Sequence, residues 1–323
     1  MIFTSTPETG ASIYGPLLYT FADEEAPRDL TVEVIDNTTR QIIFTKRLYN
    51  TSSGQIDISP LLQRRLEWRP AATPAGFSSA GERTAFIQVR VEGVSVSRRF
   101  YPSSEPLEEN KLLLSSMPTN RPLARGECEE LLLPAGILRA EVERFTPEGS
   151  ITEEFISEYA LEPALFGLKS EGWESDVYRA ELRLYTADQI LTLHYTLTEP
   201  LPEGVRVAWV GRQGSIEHYT FPVCLKHSES QHLNHERLAT GEHITLHAAY
   251  EEQWQLLSAY ESSARLAALA ELGTAPAAWI ITPDMEYRSV AIAEEERTLH
   301  RYGYLSALEF TLTTTPQQQT LWS

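Results

Sequence analysis

Apolar and polar residues alternate with a period of two along most of the chain, which predicts β-strands. Leu30, Val32 and Val34 alternate with Thr31 and Glu33, Asp36-Asn37-Thr38-Thr39 supplies a turn, and Gln41–Leu48 returns as the partner strand. A second hairpin has the same grammar: Ile87, Val89 and Val91 alternate with Gln88 and Arg90, Glu92-Gly93 turns, and Val94, Val96, Arg98 and Phe100 return. Between the two, Ser59 is a natural N-cap and Pro60 a natural first helical residue for one turn through Arg65. Pro70–Gly81, rich in Ala, Pro, Gly and Ser, reads as a loop. Tyr101–Pro106 has two prolines and no period, and reads as a linker.

Beyond that linker the alternation resumes in Ile137–Phe145, Thr152–Tyr159, Val177–Tyr185 and Gln189–Leu197, with turn chemistry between them. After Pro200–Gly204 comes a hairpin, Val205–Trp209 with Ile216–Phe221, then a polar stretch, Lys226–Gly241, expected as a loop, and a strand over Glu242–Ala249. Trp254, Leu257, Ala264, Ala268 and Leu272 follow a roughly helical spacing, which predicts a helix over 250–272 stopped by Gly273, with Ser262-Ser263 as a break point. Three strands close the chain at Ala277–Thr282, Tyr287–Ala293 and Tyr304–Thr314, and the Gln-rich end, Pro316–Ser323, is expected to fray or dock on a partner. The expectation is a mainly β chain: tandem β-sandwich-like domains at 1–104 and 105–200, followed by a C-terminal α+β domain at 201–323 with one amphipathic helix region.

Charge narrows the partners. The chain has 323 residues, with 27 Lys plus Arg against 45 Asp plus Glu, a net charge of −18. Such a surface repels a phosphate backbone, so nucleic acid is not an expected partner. Met1–Phe21 lacks the positive start of an export signal, and Leu266–Ile281 is interrupted by Glu271, Gly273 and Pro276, so neither a signal peptide nor membrane insertion is expected. Cys128 and Cys224 stand 96 positions apart, with no disulfide framework or metal knuckle, and read as two free thiols.

Candidate chemistry is sparse. His227, His232 and His235 fall in the expected loop and are weak metal candidates; His243 and His247 stand about 13 Å apart on a strand, too far to share one ion. Glu129-Glu130, Glu153-Glu154, Glu251-Glu252 and Glu294-Glu295-Glu296 are adjacent carboxylates, which point to opposite faces of a strand and read as solvated surface. Trp173 and Asp176 in a Gly-containing loop offer a speculative glycan site, since an aromatic ring beside a carboxylate suits flat polar ligands. The commonest hydrolase, nucleotide and calcium motifs are absent, so no catalytic residue and no cofactor is expected. A hydrolase would need scattered carboxylates to converge in one cleft.

One segment carries a resemblance. Trp209–Phe221, with Arg212, Gly214, Tyr219, Thr220 and Phe221, resembles a segment of tail structural and adaptor proteins of Bacteroidetes phages and prophages, while Gly211, Ser215 and Glu217 depart from that pattern. The resemblance implies a non-enzymatic component of a tail assembly that contacts other virion proteins and copies of itself, first in the bacterial cytoplasm and then in the particle. From the residues themselves, Gly214 supplies the positive φ of a short hairpin, and Trp209, Tyr219 and Phe221 offer an aromatic face, so the segment containing Arg212 and Glu217 reads as a structural hairpin. The alternative is a carbohydrate- or cell-surface-binding β-sandwich module, with a glycan as its partner.

Overall fold

The computed structural model describes residues 1–323 except 25–26, 67–69, 71–73, 108–110, 238–239, 241–242, 294–297, 315–316 and 320–323, and describes 82, 232–237, 243–249 and 317–319 by backbone alone. In the first region the period-two segments become β1 (Ile2–Ser5), β2 (Leu18–Ala22), β3 (Arg28–Asp36), β4 (Gln41–Thr51) and β5 (Ser53–Asp57). A short helix α1 (Ser59–Gln63) follows, then β6 (Gly76–Ser79), β7 (Ala85–Val91) and β8 (Val94–Phe100). The sheet β1-β2-β5 faces the sheet β4-β3-β7-β8. Tyr19, Phe21 and Ile56 from one meet Leu30, Val32, Val34, Val89 and Val91 from the other, the inward half of each alternation. Pro60 opens α1 as expected, but Ser59 does not cap it; the carboxylate of Asp57 accepts the Ser59 amide at 2.9 Å instead.

The middle region holds β9 (Asn120–Ala124), β10 (Cys128–Leu133), β11 (Arg139–Thr146), β12 (Gly149–Ile156), β13 (Ala164–Lys169), β14 (Arg179–Tyr185) and β15 (Ile190–Thr198). Its larger sheet runs β12-β11-β14-β15-β9, with β9 parallel to β15, and the smaller one runs β10-β13-β6. β6 comes from the stretch expected as a loop. Four residues are too few to show a period, and the pairing is decided by distant partners: the Phe77 ring meets Phe166 edge-on at 5.1 Å, and Gly76, at φ +92°, lies under Phe155 where a Cβ would come within 2.6 Å. The 101–106 segment is also more engaged than a linker pattern suggests. Tyr101 and Ser103 are buried, and the Ser103 carbonyl accepts from Ser12 Oγ at 2.5 Å.

The last region comprises β16 (Val205–Val210), β17 (Ile216–Phe221), β18 (Val223–Arg237), β19 (His243–Leu257), the helix α2 (Ser263–Ala270), β20 (Ala278–Ile281), β21 (Tyr287–Ile292), β22 (Leu299–Tyr302), β23 (Leu305–Thr314) and β24 (Gln317–Gln319). They form one sheet, β17-β16-β20-β21-β23-β19-β18, with β22 added to β23 and β24 to β19. The helix expected over 250–272 is cut down to α2. Trp254 and Leu256 are buried two positions apart, a strand period, so Tyr250–Leu257 completes β19; the helix starts only where Ser262 Oγ accepts the Arg265 amide. Likewise Lys226–Arg237, expected as a loop, is strand, registered against β19 from Lys226↔Gln255 to Arg237↔His243. Its polar sequence hid it: Leu233 is the one apolar residue in 226–237, so no alternation marks the strand. Gln317–Gln319 docks on β19 of the same chain, opposite 248–250. No helix among the described residues is long and apolar enough to cross a membrane.

Candidate functional site

The β16–β17 hairpin is the junction of the molecule. Its turn is closed by the Gly214 amide on the Gly211 carbonyl at 3.0 Å, and Gly214 adopts φ +101° with Pro102 packed against it. Gly211 is required for a different reason: a Cβ there would stand 2.6 Å from Cγ of Glu217. The Arg212 carbonyl accepts the Ser104 amide at 2.6 Å, and the Arg212 amide donates to Glu271 Oε2 at 2.9 Å, so the turn holds both the 101–106 segment and the end of α2. Trp209, Tyr219 and Phe221 enter the core under α2, with Tyr219 and Phe221 edge-on at 5.0 Å and Phe221 against Phe310 at 5.8 Å.

The opposite flank of this hairpin meets the middle region through buried polar groups. Ser215, fully buried, donates its amide to the Leu114 carbonyl and accepts the Leu132 amide on Oγ at 3.0 Å. Glu217 accepts Ser115 Oγ and the Ser116 amide, both at 2.8 Å. Burial pushes its carboxyl up to about 7, against the pull of Arg121. Arg121 donates to Glu129 at 3.2 Å, to Ser115 Oγ at 2.7 Å and to the Pro118 and Met117 carbonyls; the Tyr195 hydroxyl completes the shell of Glu129 at 2.8 Å. A parallel set surrounds Arg206, which donates to Glu127 at 2.6 Å, to Thr220 Oγ1 at 3.0 Å and to the Cys128 carbonyl at 2.6 Å. His218 lies between these two arginines; burial first, and then their charges, hold it far below the ordinary histidine range, so it is neutral. Its Nε2 has no hydrogen-bond partner among the described residues.

A cavity of about 250 Å³ opens along this seam, lined by Arg121, Glu127, Glu129, Arg206, His218 and Glu261 among others. Carboxylates thus do converge in one cleft, the arrangement a motif-free hydrolase would need. Each of them already has partners: Glu127 holds Arg206 and Thr220, Glu129 holds Arg121 and Tyr195, and Glu261 holds Arg265 at 2.8 Å and the Tyr219 hydroxyl at 3.0 Å. Glu217, the one glutamate among the described residues raised into the range of a general acid, does not line the cavity. What the seam does chemically is bind two β regions together through the Arg206–Glu127 pair and the hydrogen bonds of Ser215 and Glu217, with Arg121–Glu129 buried beside them as a pair that must be complete to be tolerated in the interior.

Sequence reasoning passed over the groups that matter most here. Glu129 and Glu130, expected as solvated surface, are buried: opposite faces of β10 take them to Arg121 and to Arg83, the latter at 2.9 Å. Arg121 and Arg206 carried no local signal, because their partners stand 8 and 79 positions away. Glu217 was visible as part of the hairpin, but not its burial. The three candidate metal histidines are not gathered by a loop. All lie on β18, where His227 and His232 are about 16 Å apart along an extended strand, and the described His227 stacks on Trp254 at 4.9 Å and faces Glu252. No cluster of three or more metal-ligating groups occurs among the described residues. Trp173 packs partly buried against the middle core with the Arg144 guanidinium 5.8 Å from its ring, while Asp176 is exposed. Cys128 and Cys224 are both free, and burial raises both thiols. Glu294–Glu296 lies outside the described residues.

No family model matches the chain, and no curated protein matches it. Among solved structures it is similar to extracellular domains 3–5 of Drosophila OTK, at 9% identity over 78% of this chain and 90% of that one, with a TM-score of 0.23. It is also similar to domains 4–9 of the surface layer protein SbsC, at 9% identity over 97% and 42%, TM-score 0.21, and to an endo-fucoidan hydrolase of glycoside hydrolase family 107, at 8% over 78% and 41%, TM-score 0.18. At these scores none of the three carries an argument about fold or function.

Proposed function

We propose that this chain is a non-enzymatic structural or adaptor protein that acts through protein–protein contacts, with a phage or prophage-derived tail as its setting. The observation that carries the reading is the division of its chemistry. The charges lining the cavity are paired with one another, whereas uncommitted apolar groups stand on strand edges and hairpin tips, with Tyr302 and Tyr304 projecting from the β22–β23 turn and Tyr260 beside Tyr302 at 5.9 Å. Exposed aromatic groups on rigid turns serve binding rather than stability. The tail setting rests on the 209–221 resemblance, and with it a passage from cytoplasm to particle.

The test is chemical crosslinking of the full chain in cells that make it. The expected result is crosslinks from the β22–β23 turn and the sheet edges to other proteins of one particle. A chain that crosslinks to no protein, yet binds glycans with an affinity lost in Trp173→Ala, would overturn the reading in favour of carbohydrate recognition.

A further inference from the structure

Two strand edges stand out against the chain's overall charge. β4 pairs with β3 on one side only, and β12 with β11 on one side only, so each ends its sheet with a row of backbone donors and acceptors facing outward. Over 40–51, β4 carries Arg40, Lys46 and Arg47 and no acid, in a chain of net charge −18; over 148–158, β12 and its flanks carry Glu148, Glu153, Glu154 and Glu158 and no base. Lys46 and Arg47 are exposed, with no ion pair among the described residues, and Glu153 is equally uncommitted. Glu154 shares Arg139 at 2.9 Å. Both edges also expose large apolar side chains: Phe44 (41%) and Tyr49 (70%) on β4, Ile151 (41%) and Ile156 (66%) on β12.

These features fit each other in one antiparallel register. Setting Lys46 opposite Glu154 places Arg47 opposite Glu153 and Phe44 opposite Ile156, all within the regular stretch 44–48. Because directly opposed residues share a face, Lys46 and Phe44 lie with Glu154 and Ile156, and Arg47 lies with Glu153. The layers do not collide. Phe44 and Lys46 lie on the face of their sheet that packs on β1-β2-β5, opposite Val34 and Val32, whereas Glu154 and Ile156 lie on the face of theirs turned away from β10-β13-β6, opposite Glu141 and Arg139. Bulges in the β3–β4 ladder between Val34 and Ile35 and between Arg28 and Leu30 bound the regular stretch to which a partner strand would add.

We propose that β4 of one copy pairs edge to edge with β12 of a second copy. The contact is head to tail, so a pair of copies retains one free β4 on one copy and one free β12 on the other, and the assembly grows into a ring or a filament. The inference rests on the protein–protein reading above and names the partner as the chain itself.

Light scattering of the full chain over a concentration series reads it out. The wild type should associate, and association should weaken with salt. Lys46→Glu with Arg47→Glu, or separately Glu153→Lys with Glu154→Lys, should each weaken self-association more than tenfold by setting like charges opposite each other. Mixing the two variants should restore it, since an acidic β4 then meets a basic β12, and a basic β4 an acidic β12. An unchanged melting temperature in each variant excludes misfolding as the cause. A wild type that stays monomeric to about 1 mM, the weak end of specific pairing, overturns the proposal, as does a mixture that fails to associate. Neither result touches the adaptor reading, which falls only if crosslinking finds no protein partner.

Discussion

β17 and β12 are both edge strands, and both carry glutamate: Glu217 on β17, Glu153 and Glu154 on β12. On β17 nearly every residue is buried, because β10 and the 114–116 segment cover the strand and supply Ser115 and Ser116 to Glu217. On β12 nearly every residue is exposed, Glu153 and Glu154 among them. The same side chain is therefore an interior group with a raised carboxyl on one edge and an exposed surface group on the other. This chain covers one edge with its own interior and leaves the other open to solvent.

The strongest way to break that contrast is to unbalance the seam. Arg121→Met should lose about 3–5 kcal/mol of stability in urea unfolding, since it leaves Glu129 buried beside Glu217 without its cation. A loss no greater than that of Arg47→Met on exposed β4 would show that the buried pair behind β17 matters no more than an exposed surface charge. Next is the turn. Gly214→Val should cost about 2 kcal/mol or more, because a β-branched residue resists φ +101° and would also crowd Pro102. Wild-type melting of that variant would show that the turn does not hold the junction.

Protonation sharpens the comparison further. The Glu217 carboxyl is raised from near 4.5 to about 7 in the folded chain. Its contribution to stability is therefore fully present below about 4.5 and is lost as pH rises through about 7. His218 works in the opposite sense: held neutral by burial, it favours the fold above about 6.5 and disfavours it as pH falls below that value. Glu217→Gln should remove the loss on the alkaline side and leave only the acid-side loss of His218, seen in melting temperatures from pH 5 to 8. A profile identical to wild type would place the titration elsewhere. The smallest effect belongs to the open edge: Glu153→Ala with Glu154→Ala should change stability by no more than about 0.5 kcal/mol, measured in the same urea series. A larger change would mean that β12 is tied into the fold more tightly than its exposure indicates.

Legibility followed the same division. Strands with one wet face, such as β3, β7 and β15, were readable because Val32, Val89 and Leu193 alternate with polar neighbours. β18 carries no apolar alternation that marks it as a strand, and Tyr250–Leu257 reads as helix because Trp254 and Leu257 also satisfy a three-residue spacing. β6 was missed because its four residues are recruited by Phe166 and Phe155, more than 70 positions away. In the candidate site, the turn glycine and the aromatic face were legible, and the charges behind them were not.

The amino-acid sequence by itself determined the β character, the hairpins at 30–48 and 205–221, the glycine turn at 214 and the acidic balance, because each depends on residues adjacent or two apart. Only the tertiary structure decided which glutamates became interior groups. Burial of Glu129, Glu130 and Glu217 is set by which sheet face arrives from elsewhere in the chain, and a carboxylate carries no local mark that distinguishes a future ion pair from a solvated surface.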